Sequence, residues 1–279
     1  MEAEELLKQY AAGERNFKGI TLIGADLRAA DLTDVNFTRG SLRDVKMVGT
    51  NLTGANLREV QIIGTTLAGA NLSEANLIGT NMPKTNLSHA NLSGANLRGS
   101  IAREANLTQA NAKGANLTET NFSQANLTGG NFTDATMVRV NLIKAVGIGA
   151  ILENANLTNA LMNESILEGA NLTNAIISGA MLSGANLSGA DLSKCTAIGA
   201  TLSEANLSGA KLRVANISWT TLRGANLSGA NLFRAKLSWS NLSGAIMIKT
   251  VLIDAKLNRT NFRDADLRGA IMPDGTTVA

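Results

Sequence analysis

Histidine and cysteine are almost absent: His89 and Cys195 are the only ones in 279 residues. A single cysteine excludes an intrachain disulfide and favours a reducing compartment. A single histidine excludes a multi-histidine metal site and leaves imidazole-based catalysis with one residue to draw on. Aromatic residues make up 3% of the chain, too few for an ordinary globular core, so burial must come from Leu and Ala. No apolar run approaches the ~20 residues of a membrane span. The start, Met1-Glu2-Ala3-Glu4-Glu5, is acidic and lacks the apolar centre of a signal peptide. The formal net charge of +3 is mild and selects no partner by itself. The chain is expected to be soluble and cytoplasmic.

What the chain does have is a period of five. From Phe17 to Met272 every fifth residue is Leu, Phe, Ile or Met, with lapses only at Ala102, Ala112, Gly147 and Ala197. Positions two residues before these are nearly always Ala, Ser, Thr, Gly or Val. An uninterrupted strand alternates its side chains with period two, so Leu52 and Leu57 would point to opposite faces. An α-helix would spread a five-residue stripe around its whole circumference. Only a chain that turns once per five residues points every Leu inward. Short segments then wrap around one axis and pair coil on coil, which is a β-solenoid. Frequent Gly, Asn, Ser and Thr suit such turns.

The unit stands plainly in Ala70-Asn71-Leu72-Ser73, Ala185-Asn186-Leu187-Ser188-Gly189 and Ala225-Asn226-Leu227-Ser228-Gly229. It resembles the pentapeptide-repeat family, whose signature is A-(N/D)-L-x-x. The resemblance implies an all-β fold, a right-handed quadrilateral β-helix with four units per coil. The central residue and the small residue two before it would point inward. Fifty-two in-phase units from Phe17 to Met272 would then give about thirteen coils. The sequence supports twenty residues per coil independently: Phe122 and Phe132 stand twenty after Ala102 and Ala112, a large residue over each small one. At Gly147 and Ala197 a local bulge is expected to tuck in a neighbour, Val146 or Ile148 and Ile198.

Three segments follow: a short N-terminal capping α-helix in 1–14, the β-helix in 15–274, and a tail in 275–279. Ala3, Leu6, Leu7, Tyr10 and Ala11 recur at helical spacing before Gly13. After the turn signal Met272-Pro273-Asp274-Gly275 no amphipathic segment follows, so the last coil is expected to be weakly covered. The chain is read as a monomer or an end-to-end dimer through that coil.

No catalytic residue, metal ligand or cofactor is expected, and the chain is not expected to be an enzyme. His89 falls at an outward position, Cys195 replaces a small inward residue, and the many Gly-Ala pairs are repeat corners rather than a phosphate loop. The candidate partner-binding residues lie on the surface. Trp219 and Trp239, the only tryptophans, are twenty residues apart, and Arg259 follows after another twenty. They are predicted to form one row, with Arg259 in cation–π range of Trp239 and Phe233 near the adjoining corner. Exposed Trp with Arg is typical of interaction hot spots; a purely structural aromatic ladder is the alternative. Between Ala205 and Arg263 nine basic residues face one acid, Asp254, which suits nucleic acid or an acidic protein as well as a plain solvated surface. Apolar residues replace the usual outward Asn at Val146, Ile151, Leu161, Ile166, Ile176 and Met181. Val146 and Ile166 should stack on one face, Leu161 and Met181 on the next, as a docking patch.

Some proteins of the family are DNA-mimicking binders of DNA gyrase and topoisomerase, with strongly negative surfaces. The positive charge of this chain disfavours that role. The reading it supports is a structural or interaction module, similar to uninterrupted cyanobacterial members, that offers flat faces to a protein partner. Nucleic-acid binding through the basic C-terminal third is a further alternative.

Overall fold

The computed structural model describes all 279 residues. They form two compact units, Met1–Thr136 and Met137–Ala279. Both are built in the same way. Within each unit, residues just before a central Leu pair in parallel with the residue twenty positions on, as in Asn51↔Asn71 and Asn71↔Asn91 of the first unit and Asn186↔Asn206 of the second. Backbone hydrogen bonds alternate across the pairing, from Leu52 N to Asn71 O at 2.7 Å and from Asn71 N to Thr50 O at 2.9 Å. Most pairings are single bridges because the chain turns before a longer strand can form. Three-residue strands occur only at β1 (Thr21–Ile23), β2 (Ser41–Arg43) and β3 (Gln61–Ile63), in register as Leu22↔Leu42↔Ile62.

The turn explains the rest of the unit. The amide of most small inward residues bonds back three residues, as in Ala55 N to Leu52 O at 3.0 Å, and the residue before it takes a positive φ, +67° at Gly54. This is a type II turn, whose third position favours Gly or Asn. The chain nevertheless places Glu, Lys, Arg and even Val214, Trp219 and Trp239 in that conformation. The outward Asn serves the same turn: Asn186 Oδ1 accepts the Ser188 amide at 3.1 Å, and Asn side chains bond along the ladder, Asn91 Nδ2 to Asn71 Oδ1 at 3.0 Å.

Inside the first unit, Ala102, Ala112, Phe122 and Phe132 are all fully buried. A Cβ added at Gly130 would meet the Phe132 ring at 2.8 Å, so this ring leans over a position where Ala would collide. In the second unit the gap at Gly147 is filled from the following coil: the Leu167 Cδ2 methyl lies 3.0 Å from where its Cβ would be. No bulge tucks in a neighbour, contrary to the expectation. Val146 keeps its bridge to Ile166, and Ile148 and Ile198 stay 44% and 41% exposed. A longer reach from an adjacent Leu costs less than breaking a hydrogen-bonded ladder.

Some inward Thr and Ser hydroxyls are not inert filler. Thr80 Oγ1 donates to Leu57 O at 2.9 Å and Thr120 Oγ1 to Leu97 O at 2.8 Å. Ser240 Oγ donates to Ile217 O at 2.6 Å while accepting from the Thr220 amide at 3.3 Å. At Ser240 the hydroxyl thus stands inside the turn in place of its direct bond, whereas Leu57 O and Leu97 O keep theirs to Val60 N and Ser100 N.

The two ends differ. Helix α1 (Ala3–Ala11) buries Leu6, and the Tyr10 hydroxyl donates to Thr33 O at 2.8 Å. Beside it Phe17, Leu22, Leu27 and Leu32 are buried. At the other end Leu257, Phe262, Leu267 and Met272 are only half-buried. After the turn at Asp274 the tail folds back antiparallel, Ile271↔Thr277, with Val278 N bonded to Ala270 O at 2.9 Å. It pairs with the edge of one segment and leaves the open end of that core uncovered.

Candidate interaction surface

The residues that stand out lie at the turn corners of the second unit. Trp219 and Trp239 occupy successive corners at φ +60° and +66°. Their rings stack at 4.8 Å between centroids with 5° between planes, which is the coil-to-coil spacing imposed by strand pairing. The Arg259 guanidinium lies 4.3 Å from the Trp239 ring centre and closes that end of the stack. Trp219 is 60% exposed and Trp239 44%. The other face of Trp219 looks toward the corner at Gly199, where an added Cβ would have nothing within 4 Å. One corner further, the Asn159 amide oxygen lies against the Cβ position of Gly179. The column therefore runs Asn159, Gly179, Gly199, Trp219, Trp239, Arg259.

Phe233 is half-buried beneath two cations, with Arg213 at 4.5 Å and Arg234 at 4.8 Å from its ring centre. Arg234 also reaches Asp254 at 3.1 Å. From spacing alone these arginines are only two of nine basic residues between Ala205 and Arg263, because a period reveals columns but not side-chain directions. Lys236 pairs with Lys256 along the strand column three residues before the corners of Trp239 and Arg259. Neither lysine has a carboxylate partner, whereas Lys211 and Arg263 have Asp191 and Asp264 at 3.5 and 3.3 Å.

The aliphatic residues separate into columns. Val146 pairs with Ile166 and Leu161 with Met181. Ile166 and Met181 are 38% and 44% exposed, and Val146 and Leu161 half-buried. Ile151 and Ile176 stand in other columns opposite Asn171 and Asn156.

His89 is exposed at a corner of the first unit. No group of three His, Cys, Asp or Glu side chains is placed to hold a metal ion. Cys195 is buried, and desolvation, helped by the charge of Asp191, pushes its thiol up to about 12, so it remains a protonated filler group. No helix is long and apolar enough to cross a membrane.

A family model described as "Pentapeptide repeats (8 copies)" matches overlapping segments that together run from residue 16 to 272. The chain belongs to the pentapeptide-repeat family. It folds as the right-handed β-helix of that family. Among solved structures it is similar to HetL, a pentapeptide-repeat protein involved in heterocyst differentiation regulation in the cyanobacterium Nostoc sp. strain PCC 7120. The identity is 34% over 100% of both chains, with a TM-score of 0.30. It is similar to Rfr23 of the cyanobacterium Cyanothece 51142 at 36% identity over 33% of this chain and 58% of that one, TM-score 0.18. QnrB1, a plasmid-mediated fluoroquinolone resistance protein, is 17% identical over 75% of this chain and 92% of its own, TM-score 0.35. Comparison with curated proteins gave no match.

Proposed function

We propose that this pentapeptide-repeat chain is a non-enzymatic interaction module, a β-helix of four-sided coils whose flat faces receive a macromolecular partner. The twenty-residue pairing offset supports four units to the coil, and so about thirteen coils across 15–274. One observation carries the functional reading: the only two tryptophans are spent on an exposed stack, capped by Arg259. Each occupies a positive-φ corner that costs an L-residue roughly 1–2 kcal/mol, and neither fills the core. Rigid aromatic area next to Arg is what interaction hot spots are made of. The paired aliphatics Val146/Ile166 and Leu161/Met181 offer a second face, suited to a protein partner. The cytoplasm is the proposed place of that role. A second copy seated end to end on the open C-terminal core would cover Leu257, Phe262, Leu267 and Met272.

DNA mimicry toward gyrase fits less well. A phosphate-like surface needs rows of uncompensated carboxylates, yet Glu59, Glu104, Glu164, Asp191 and Asp254 each face a Lys or Arg twenty residues away in the ladder.

The test is affinity capture from native lysate with the wild-type chain and a Trp219→Ser/Trp239→Ser variant as baits. A partner held by the wild type and lost by the variant supports the reading. Identical captures by both baits would make the Trp stack a structural ladder.

A further inference from the structure

The Trp corner has an unfinished end. Trp239 is covered on both faces, by Trp219 and by Arg259. Trp219 is covered on one. Its other face opens over Gly199, where an added Cβ would have nothing within 4 Å, and beyond it the Asn159 amide lies against the Cβ position of Gly179. Two places of the column, Gly179 and Gly199, carry no side chain; the Asn159 amide lies against the first, and the second is left for a planar group stacked on indole. Open-ended indole attracts any π-face, whereas aliphatic side chains gain less there.

Charge narrows the choice. The face leading into the corner carries Lys236 and Lys256 as direct ladder partners, and the face following it carries exposed Arg223, none with a carboxylate. Like charges opposite each other in a ladder repel; an anion lying along the column relieves both. From Ala205 to Arg263 nine cations meet one acid, and that acid, Asp254, is already held by Arg234. A ligand with planar groups and regularly spaced anions satisfies the slot and the lysine pair together. An acidic peptide supplies the anions, but a planar ring only where it carries an aromatic residue, whereas every nucleotide carries both.

Resting on the reading of the Trp stack as an interaction surface, we propose that this face binds single-stranded nucleic acid. A base would enter the place over Gly199 and stack on Trp219, while backbone phosphates run along Lys236 and Lys256. Base–aromatic stacking with a basic track is sequence-tolerant recognition, and it leaves this face without base-edge selectivity.

Because Trp219 and Trp239 are the only tryptophans, intrinsic fluorescence of the purified full chain reports on this face alone. Titration with oligothymidylate at low salt should quench the emission saturably. The deciding variant is Gly199→Arg. Arg at this corner can stack on Trp219 as Arg259 stacks on Trp239, and Arg259 already occupies the same backbone conformation at φ +57°. It closes the slot while adding a positive charge. The proposal expects affinity to fall about tenfold, the worth of one lost base stack; purely electrostatic attraction would strengthen it. Unchanged or tighter binding by Gly199→Arg overturns the proposal. Lys236→Ala/Lys256→Ala should lower the slope of log affinity against log salt by about 1.4, at ~0.7 per phosphate contact on a single strand. An unchanged slope overturns the phosphate track. An acidic peptide that quenches as strongly and is equally blocked by Gly199→Arg would assign the face to a protein segment instead. If oligothymidylate leaves the emission untouched while lysate capture still depends on the Trp pair, the surface stands and only this assignment of its ligand fails.

Discussion

Two buried serines of the second unit should respond to the same substitution with opposite sign. Ser240 and Ser165 are each 1% exposed and occupy the same small inward position of the repeat. Ser240 Oγ bridges the Ile217 carbonyl at 2.6 Å and the Thr220 amide at 3.3 Å, and neither group has another backbone partner. Ser165 Oγ is buried with no partner. Ser240→Ala removes a bridging hydroxyl. If the turn recloses, the net cost is about 1 kcal/mol; if the amide stays unpaired, it rises to about 3 kcal/mol. Ser165→Ala removes a hydroxyl whose desolvation nothing offsets, and should stabilise by about 1 kcal/mol. Lost volume and side-chain entropy are equal in the two, so they cancel in the comparison. For a unit of this size about 3 °C of Tm accompanies each kcal/mol, so the variants should melt at least about 6 °C apart, on opposite sides of the wild type. Thermal circular dichroism and guanidinium titration read this directly. If Ser165→Ala destabilises as much as Ser240→Ala, the hydrogen-bond account of the inward column is wrong.

Other outcomes follow from the same geometry. Phe122→Ala should cost about 3–5 kcal/mol, above an average Leu→Ala in the first unit, because the buried Ala102 twenty residues earlier cannot refill the space; equal melting losses would count against the stacked pair. Leu187→Arg should abolish soluble folded protein, since the fully buried site would receive an unpaired charge, whereas Ser188→Arg on the outer surface should melt like the wild type. Cys195 has its thiol raised from 9.0 to about 12. The unfolded thiol ionises first, so the unfolded state binds fewer protons between those values, and stability falls as pH rises through that window, by up to about 1.4 kcal/mol per unit. Cys195→Ala should flatten this part of the pH–stability curve, and an unaltered curve would refute the assignment. Phe262→Glu/Leu267→Glu should remove any concentration dependence of the mass seen in sedimentation.

The fold was legible because a period of five admits so few chain paths. The inward placing of Leu187, the small column beside it and the twenty-residue offset between Ala102 and Phe122 all follow from spacing. So did the alignment of Trp219, Trp239 and Arg259. Side-chain detail was not legible. Spacing marks Gly147 as a gap but does not say that Leu167 fills it, because that depends on a rotamer in the neighbouring coil. It marks Ser165 and Ser240 as equivalent small residues, although one hydroxyl is bonded and the other is not. It counts Arg213 and Arg234 as surface charge, although both lie on Phe233. The open place over Gly199 is visible only once the ring planes are known, since it is defined by what surrounds a residue with no side chain.

The most direct test of the account is to follow the two indole N–H resonances of ¹⁵N-labelled protein in buffer and in native lysate, with backbone amides of the first unit as internal controls. Both indole signals should shift or broaden more than those amides do, Trp219 more than Trp239, because only Trp219 keeps a free ring face. Indole signals that stay unchanged in lysate would contradict the central claim that the Trp corner is where this protein meets its partner.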